Sequence, residues 1–195
     1  MRQFISPFAR RVTPILLTIT MLLTLNPSLF AASRANQAPR DAQNYQTWLT
    51  KEVRHQLVML PYYSVFDNFQ YKVDGNKVTL LGEVTQPTLK SDAEAAVKSI
   101  EGVSAVDNQL KVLPLSPMDD RIRRAEYRAI YSFPSLQMYS MQAVPPIHII
   151  VEKGHVTLEG TVATQADKDA AGIRAKSVSG VFSVTNNLQV EKKSS

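Results

Sequence analysis

The sequence predicts an α+β fold of two tandem small modules, each with the order helix-strand-strand-helix-strand and with its helices on one face of a three-stranded sheet. Three observations lead to this prediction. A long segment repeats without a gap, each copy changes from strand periodicity to helix periodicity, and glycine or proline marks the joints between elements. The composition, 44% hydrophobic and 20% charged, is that of a chain that can form a hydrophobic core.

The repeat is the strongest signal in the chain. The segment Val73–Val84 recurs 78 residues later as Val151–Val162. The same offset continues to Val112 and Val190, and about two positions in five are identical over this stretch. A match of this length without a gap indicates a duplicated module. The predicted modules cover residues 45–113 and 118–191, and a proline-containing linker at 114–117 joins them.

Each copy divides into the same elements. Val78, Leu80 and Val84 alternate with more polar residues, as in a strand with one buried face. A turn signal precedes this strand, so a shorter strand pairs with it as an antiparallel hairpin. Apolar residues then follow the spacing of an amphipathic helix, and a last strand closes the unit. The shorter strands are predicted at Gln70 to Asp74 and Ile147 to Glu152, and a further helix before each copy at Asn44 to Leu60 and Asp119 to Tyr131.

Several small or amide residues of the repeat are predicted to be structural. Gly82 and Gly160 lie inside strands, where glycine marks a bulge or a close approach between helix and sheet. Gly102 and Gly180 follow the helices, where a left-handed residue is favoured. Asn108 and Asn186 fall in phase with inward-facing residues, so we expect them to complete backbone hydrogen bonds rather than to bind a ligand.

The N-terminus has the three parts of a secretory signal. Basic residues precede an apolar run from Ile15 to Leu25, and small residues follow at Ala31 and Ala32. The run of about 11 residues is shorter than the roughly 20 that span a bilayer as a helix. We therefore predict a signal peptide at residues 1–33 and a periplasmic or secreted protein, with an uncleaved signal anchor as the alternative. The sequence contains no cysteine, which excludes lipid attachment through a cysteine, disulfides and thiolate metal sites.

The net charge argues against general nucleic-acid binding. The chain carries a formal charge of +5, but three of its arginines lie within the predicted signal peptide. Without residues 1–33 the formal charge is +2, which is close to neutral for a domain pair of this size. No nucleic-acid partner is predicted.

The repeated motif resembles the BON domain. The motif reads Val78-Thr79-Leu80-x-Gly82-x-Val84, then Gly102-Val103 through Val112 after a helix, and the second copy has the same pattern from Gly154 to Val190. The resemblance covers about residues 45–191. A signal peptide followed by two BON domains is similar to the architecture of osmotically inducible periplasmic proteins. The resemblance implies binding of phospholipid or envelope proteins and a role in envelope integrity or osmotic stress, without catalysis.

Catalytic and metal-binding motifs are not recognisable in the sequence. His55, His148 and His155 lack the spacing that places two ligands on one helix face. Neither a phosphate-binding glycine loop nor a nucleophile elbow occurs. We therefore predict a non-enzymatic binding protein without cofactor or metal.

The second copy contains the predicted binding surface. Arg121, Arg124 and Arg128 share one face of the predicted helix, and an insertion from Ser132 to Ala143 follows them. Basic side chains beside aromatic and methionine side chains suit the interface of an anionic phospholipid membrane. The candidate lipid-binding residues are Arg121, Arg124, Arg128, Tyr127, Tyr131, Met138 and Tyr139.

Three alternatives remain open from the sequence. The arginines could form a solvated helix face while the insertion packs between the modules. The insertion could instead hold unfolded clients, as in a soluble periplasmic chaperone or stress protein. A third alternative is a module that mediates protein–protein assembly. The sequence makes no prediction of the oligomeric state.

Overall fold

The computed structural model describes residues 27–142 and 144–192 of the chain. The chain divides into two compact units, Met1–Arg40 and Asp41–Ser195, and the second contains both modules. In the first unit the described backbone, from Pro27 onward, is helical. Most of the predicted signal peptide, residues 1–26, lies outside the described residues, so it stays a prediction.

The two modules have the same order of helices and strands apart from a 3₁₀ helix in module 2, and the predicted α+β fold is confirmed. In module 1 the elements are α1 (Pro27–Val58), β1 (Asn68–Asp74), β2 (Lys77–Val84), α2 (Pro87–Lys98), β3 (Ala105–Asn108) and β4 (Lys111–Val112). In module 2 they are α3 (Pro117–Tyr131), a 3₁₀ helix (Gln137–Met141), β5 (Ile147–Glu152), β6 (His155–Val162), α4 (Gln165–Lys176), β7 (Ser183–Asn186) and β8 (Gln189–Val190). The first helix begins well before the predicted Asn44, and β1 begins two residues before the predicted Gln70.

The central strand of each sheet pairs on both sides. β2 pairs antiparallel with β1 and parallel with β3 and β4, and β6 has the same partners in module 2. The last predicted strand of each module is therefore two short strands. The break lies at an asparagine, because Asn108 Oδ1 accepts from Leu110 N at 3.2 Å and its Nδ2 donates to Lys90 O at 2.9 Å.

Asn186 makes the corresponding bonds in module 2. Its Nδ2 donates to Lys168 O at 2.7 Å, and its Oδ1 accepts from Leu188 N at 3.2 Å. These bonds confirm the prediction that both asparagines complete backbone hydrogen bonds. Each amide also ties the outer strand to the helix above it, which fixes the distance between helix and sheet.

Each module has its own hydrophobic core between the sheet and its helices. In module 1 the buried residues of α1 are Leu49, Val53 and Leu57, and they pack over Val78, Leu80 and Val84 of β2. The equivalent core of module 2 contains Ile122 and Ile130 of α3 over Val156, Leu158 and Val162 of β6. The burial pattern therefore aligns α1 with α3 at an offset of 73 residues. In this alignment Leu49 is equivalent to Ile122, and Leu57 is equivalent to Ile130.

Gly82 and Gly160 allow a close approach between two backbones. Both have a positive φ, +106° and +114°, which side-chain-bearing residues rarely adopt. A Cβ at Gly82 would lie 2.1 Å from Asn68 O, and one at Gly160 would lie 1.9 Å from Pro146 O. The close neighbour is the adjacent strand segment, whereas the sequence predicts a bulge or a close approach between helix and sheet. Gly102 and Gly180 also have the expected positive φ, +87° and +89°.

The two modules contact one another through the segment that precedes β1. Ile149 N of β5 donates to Val65 O at 2.7 Å. The rings of Tyr63 and His148 stack at 5.8 Å between centroids. A further contact between the modules is the ion pair of Lys111 Nζ in β4 with Glu152 Oε2 in β5, at 2.5 Å.

Asp67 holds this segment in place. Its side chain is fully buried, and its carboxylate accepts from Ser64 N and Ser64 Oγ at 3.0 and 2.7 Å. The other oxygen accepts from Thr85 N and Thr85 Oγ1 at 2.6 and 2.8 Å. Four hydrogen bonds satisfy the buried charge and fasten the segment to the end of β2.

The variant Gly82→Ala tests the close approach. The added Cβ meets backbone rather than a flexible side chain, so β1 must shift, and we expect the free energy of unfolding to fall by about 2 kcal/mol or more. Gly75→Ala is the matched control, because Gly75 also has a positive φ (+56°) but a Cβ added there would meet nothing within 4 Å. It should lose only about 1 kcal/mol. Equal losses in chemical denaturation would contradict this account.

Candidate functional site

The exposed face of α3 carries three arginines. The helix begins at Pro117, and Ser116 caps it by accepting from Asp119 N at 3.2 Å. Because Ile122 and Ile130 face the core, the helical period turns Arg121, Arg124 and Arg128 to solvent. The predicted exposed arginine face is therefore present.

Arg123 points the other way and is part of the module. Only 5% of it is exposed. Its Nη1 pairs with Asp120 Oδ1 at 2.6 Å, and its Nη2 donates to Val151 O at 2.7 Å. The bond to Val151 O docks α3 on β5, and the pair with Asp120 lies within α3, so this arginine does not belong to the exposed face.

An apolar cavity opens beside the exposed arginines. It has a volume of about 240 Å³ and is lined by Val65 and Phe66 of module 1 and by Arg124, Tyr127 and Arg128 of α3. The rings of Phe66 and Tyr127 meet edge to face at 6.4 Å between centroids. We call this cavity the α3 groove. It combines an apolar interior with two bordering arginine residues, which suits a ligand that has an apolar part and an anionic part.

Two residues of the predicted surface are buried. Tyr131 is 4% exposed and donates from its hydroxyl to Ile147 O at 2.6 Å. Tyr139 is 5% exposed, donates to Asp167 Oδ2 at 3.0 Å and accepts from Ala163 N at 2.8 Å. Their hydroxyls satisfy polar groups at the ends of strands, so both side chains are held in module 2 and away from solvent. The exposed members of the predicted set are Arg121, Arg124, Arg128, Tyr127 and Met138.

The insertion of module 2 is divided between core and surface. Leu136 is fully buried, and Phe133 packs under Arg174, whose guanidinium lies 5.4 Å from the ring centroid. Met138 and Met141 are 60% and 85% exposed. The insertion therefore packs chiefly on the core of its own module and presents two methionines to solvent.

A carboxyl group is buried in α3 without a partner. Glu126 is fully buried, and neither carboxyl oxygen has a hydrogen-bond partner within the described residues. Burial raises the pKa of Glu126 to about 8. At the same offset that aligns α1 with α3, the residue of module 1 is Val53, which is also fully buried. Module 2 thus has an acid at a position where module 1 has a hydrocarbon side chain.

The histidines do not form a site for a metal. Among the residues that the structure describes, no group of three or more histidine and acidic side chains is arranged to hold a metal ion. His148 stacks on Tyr63, and burial, partly offset by Asp67, lowers the pKa of its imidazole below 6.5. His155 is exposed and its Nδ1 lies 2.7 Å from Ser183 Oγ.

The family follows from a match to both modules. The model of the BON domain matches residues 46–114 and 138–192. This chain belongs to the BON-domain family. Its two modules are tandem BON domains, and proteins of this family are generally non-catalytic. Over residues 27–142 and 144–192, we find no helix with the length and hydropathy needed to cross a bilayer.

Known proteins resemble the chain to different degrees. Osmotically-inducible protein Y of Escherichia coli (strain K12) is 33% identical over 128 residues, which are 62% of this chain and 60% of that protein. The chain thus matches about three fifths of that relative's length. A structure of CdsD, a structural protein of the type III secretion system of Chlamydia trachomatis, aligns at 11% identity with a TM-score of 0.30 over 73% of this chain and 92% of that one. The C-terminal domain of CdsD aligns at 13% identity with a TM-score of 0.27, over 74% and 98%.

Sequence reasoning missed three features of the BON-domain pair. Glu126 lies midway between Ile122 and Ile130 at helical spacing, so its place on the buried stripe was readable from the sequence. Asp67 gave no such signal, because its partners are a serine of the same loop and a distant threonine. The α3 groove was also hidden, since Phe66 comes from the other BON domain.

The buried acid makes the stability of the second BON domain depend on pH. Because the folded-state pKa of Glu126 lies above the unfolded value of 4.5, the folded state holds a proton that the unfolded state releases. The contribution of Glu126 to the free energy of unfolding therefore falls from about pH 4.5 up to about pH 8, by about 1.4 kcal/mol per pH unit. We expect Glu126→Val, which copies Val53, to raise the free energy of unfolding progressively more across this range.

Urea denaturation of both proteins between pH 5 and pH 9 measures the difference. Glu101→Gln, at an exposed glutamate of the first BON domain, is the control. It should leave the pH dependence of the free energy of unfolding as in the wild type. A constant difference between Glu126→Val and the wild type over this range would refute the role of Glu126.

Proposed function

We propose that this chain is an exported BON-domain protein that contacts anionic phospholipid surfaces through the α3 groove. The observation that supports the proposal best is the lining of the groove, where two arginines and two aromatic residues border one apolar cavity. Phospholipid headgroups offer a phosphate above an apolar boundary, and the arginines and the apolar interior of the groove have complementary chemistry.

The energetics favour a reversible contact. Each basic side chain near an anionic surface contributes about 1 kcal/mol, so the three exposed arginines give about 3 kcal/mol together. Tyr127, which is 38% exposed, can place its ring at the headgroup boundary. Binding of this strength is sensitive to salt, because the arginines are solvated and screening acts on them fully.

Location and physiological role belong to the same proposal. The signal-like residues 1–33 and the absence of cysteine support a periplasmic protein without a lipid anchor. The resemblance of the repeat to BON domains supports phospholipid or envelope partners. The name of the 33% identical relative, osmotically-inducible protein Y, supports a role in the response to osmotic stress.

Liposome flotation tests the lipid contact. The chain should float with vesicles of phosphatidylcholine and phosphatidylglycerol and should stay at the bottom with phosphatidylcholine alone. The triple variant Arg121→Glu, Arg124→Glu and Arg128→Glu replaces attraction by repulsion at three positions. We expect its apparent affinity for the anionic vesicles to fall roughly a hundredfold or more.

A charge-matched variant controls for net charge. Lys51, Lys98 and Lys176 are exposed and lie on α1, α2 and α4, so their reversal to glutamate changes the net charge equally but leaves α3 intact. This control should float nearly as the wild type does. Equal loss in both triple variants, or flotation that ignores the anionic lipid, would exclude the α3 groove as the contact.

A further inference from the structure

We propose that β1 of the first BON domain accepts an extended polypeptide segment as an additional strand. The segment would lie in the cleft between the two domains. This site is separate from the α3 groove, and the proposal does not depend on lipid binding.

The free edge of β1 lines a large cleft. β1 is the outermost strand of its sheet, and the cleft beside it has a volume of about 970 Å³. Four consecutive residues, Asn68 to Tyr71, line this cleft. Successive side chains of a strand point to opposite faces, so a cavity that touches four residues in a row runs along the strand's edge.

The second domain identifies which backbone groups point outward from such an edge. β5 occupies the position of β1, and both strands enter a hairpin with a two-residue turn. On β5 one outward group of each of three residues is occupied. Val151 O accepts from Arg123 Nη2, Ile149 N donates to Val65 O, and Ile147 O accepts from Tyr131 Oη. These three residues alternate along the strand, as the outward residues of an antiparallel edge strand do.

The corresponding groups of β1 are open. At the repeat offset of 78 residues, Val151, Ile149 and Ile147 align with Val73, Tyr71 and Phe69. Within the described residues, the backbone groups of these three residues make no hydrogen bond beyond the pairing with β2. The two domains can thus be compared directly: part of the β5 edge is bonded by other residues of the chain, whereas the same positions of β1 make no such bond.

The opposite wall of the cleft suits a polypeptide. It includes His148, Glu159 and Thr161 on the face of the second sheet that is turned away from its helices. His148 Nδ1 is buried and has no hydrogen-bond partner among the described residues. The charged groups at the cleft are Arg54, Glu159 and Glu191, so the balance favours a segment with basic side chains. Backbone pairing gives affinity with little dependence on sequence, as in other cases of strand addition.

Amide hydrogen exchange of the full chain, followed by NMR, tests the proposal. The probe is a capped eight-residue peptide of alternating threonine and valine with a lysine at each end. We expect saturating peptide to slow the exchange of the Phe69, Tyr71 and Val73 amides at least tenfold. The Gln70 and Lys72 amides should change little, because they already pair with β2.

A modified peptide separates strand addition from side-chain contact. The same sequence with an N-methyl group on every backbone amide keeps every side chain but loses the amide donors of both edges. It should give no protection. Protection by both peptides, or no slowing at Phe69, Tyr71 and Val73 with the unmodified one, would overturn the proposal. Slowing that rises with protein concentration without peptide would replace it by pairing between two copies of the chain.

A substitution that copies a residue of the second domain tests whether the free edge of β1 binds the peptide. Thr50 is exposed and corresponds to Arg123 at the helix offset of 73 residues. Thr50→Arg therefore brings a guanidinium toward Val73 O, as Arg123 reaches Val151 O. We expect it to weaken peptide binding at least fivefold. Thr47→Arg, at an exposed residue three positions earlier, adds the same charge and should bind as the wild type does. Equal binding by all three proteins would contradict the assignment of the edge.

Discussion

The hydrogen bond from Ile149 N to Val65 O is the constraint on which the surfaces between the two domains depend. It links the edge of the second sheet to the loop of the first domain, and the four bonds to Asp67 hold that loop to the end of β2. Phe66 is placed against Tyr127 by the same loop, so the α3 groove exists only while this contact is made. The cleft beside β1 has its second wall for the same reason. One backbone contact thus determines both surfaces.

The two BON domains share a scaffold and differ where they complete it. Thr85 N is bonded by Asp67 in the first domain, while the equivalent Ala163 N is bonded by the hydroxyl of Tyr139 in the second. The hairpin turn of the first domain is held by Gln46 Nε2, which donates to Gly75 O. The turn of the second domain is held by Asp119, which accepts from Lys153 N and Gly154 N. Different side chains therefore satisfy backbone groups at equivalent places in the two domains: the same amide after the central strand, and different groups of the hairpin turn. A buried polar group needs a partner, but more than one residue type can supply it.

The repeated architecture could be predicted from the sequence because it depends on local periodicity. Alternation in Val78 to Val84 and the helical stripe of α3 each depend on residues close in the chain. The exposure of Arg121, Arg124 and Arg128 followed from the same period. The burial of Tyr131 and Tyr139 did not, since their hydrogen-bond acceptors lie on Ile147 and Asp167, far along the chain. Features made by contacts between the domains, such as the α3 groove, have no periodic signature at all.

An open strand edge also carries a risk, which the charges of β1 reduce. A seven-residue strand with unused backbone groups can pair with the same strand of another molecule and start aggregation. Lys72 and Asp74 are exposed on β1, and Arg54 lies at the same cleft. Charged side chains along an edge oppose the flat stacking of identical sheets, and the facing wall of the second domain limits the approach to a single chain. The arrangement therefore keeps an edge accessible to a narrow segment while screening it from a whole sheet.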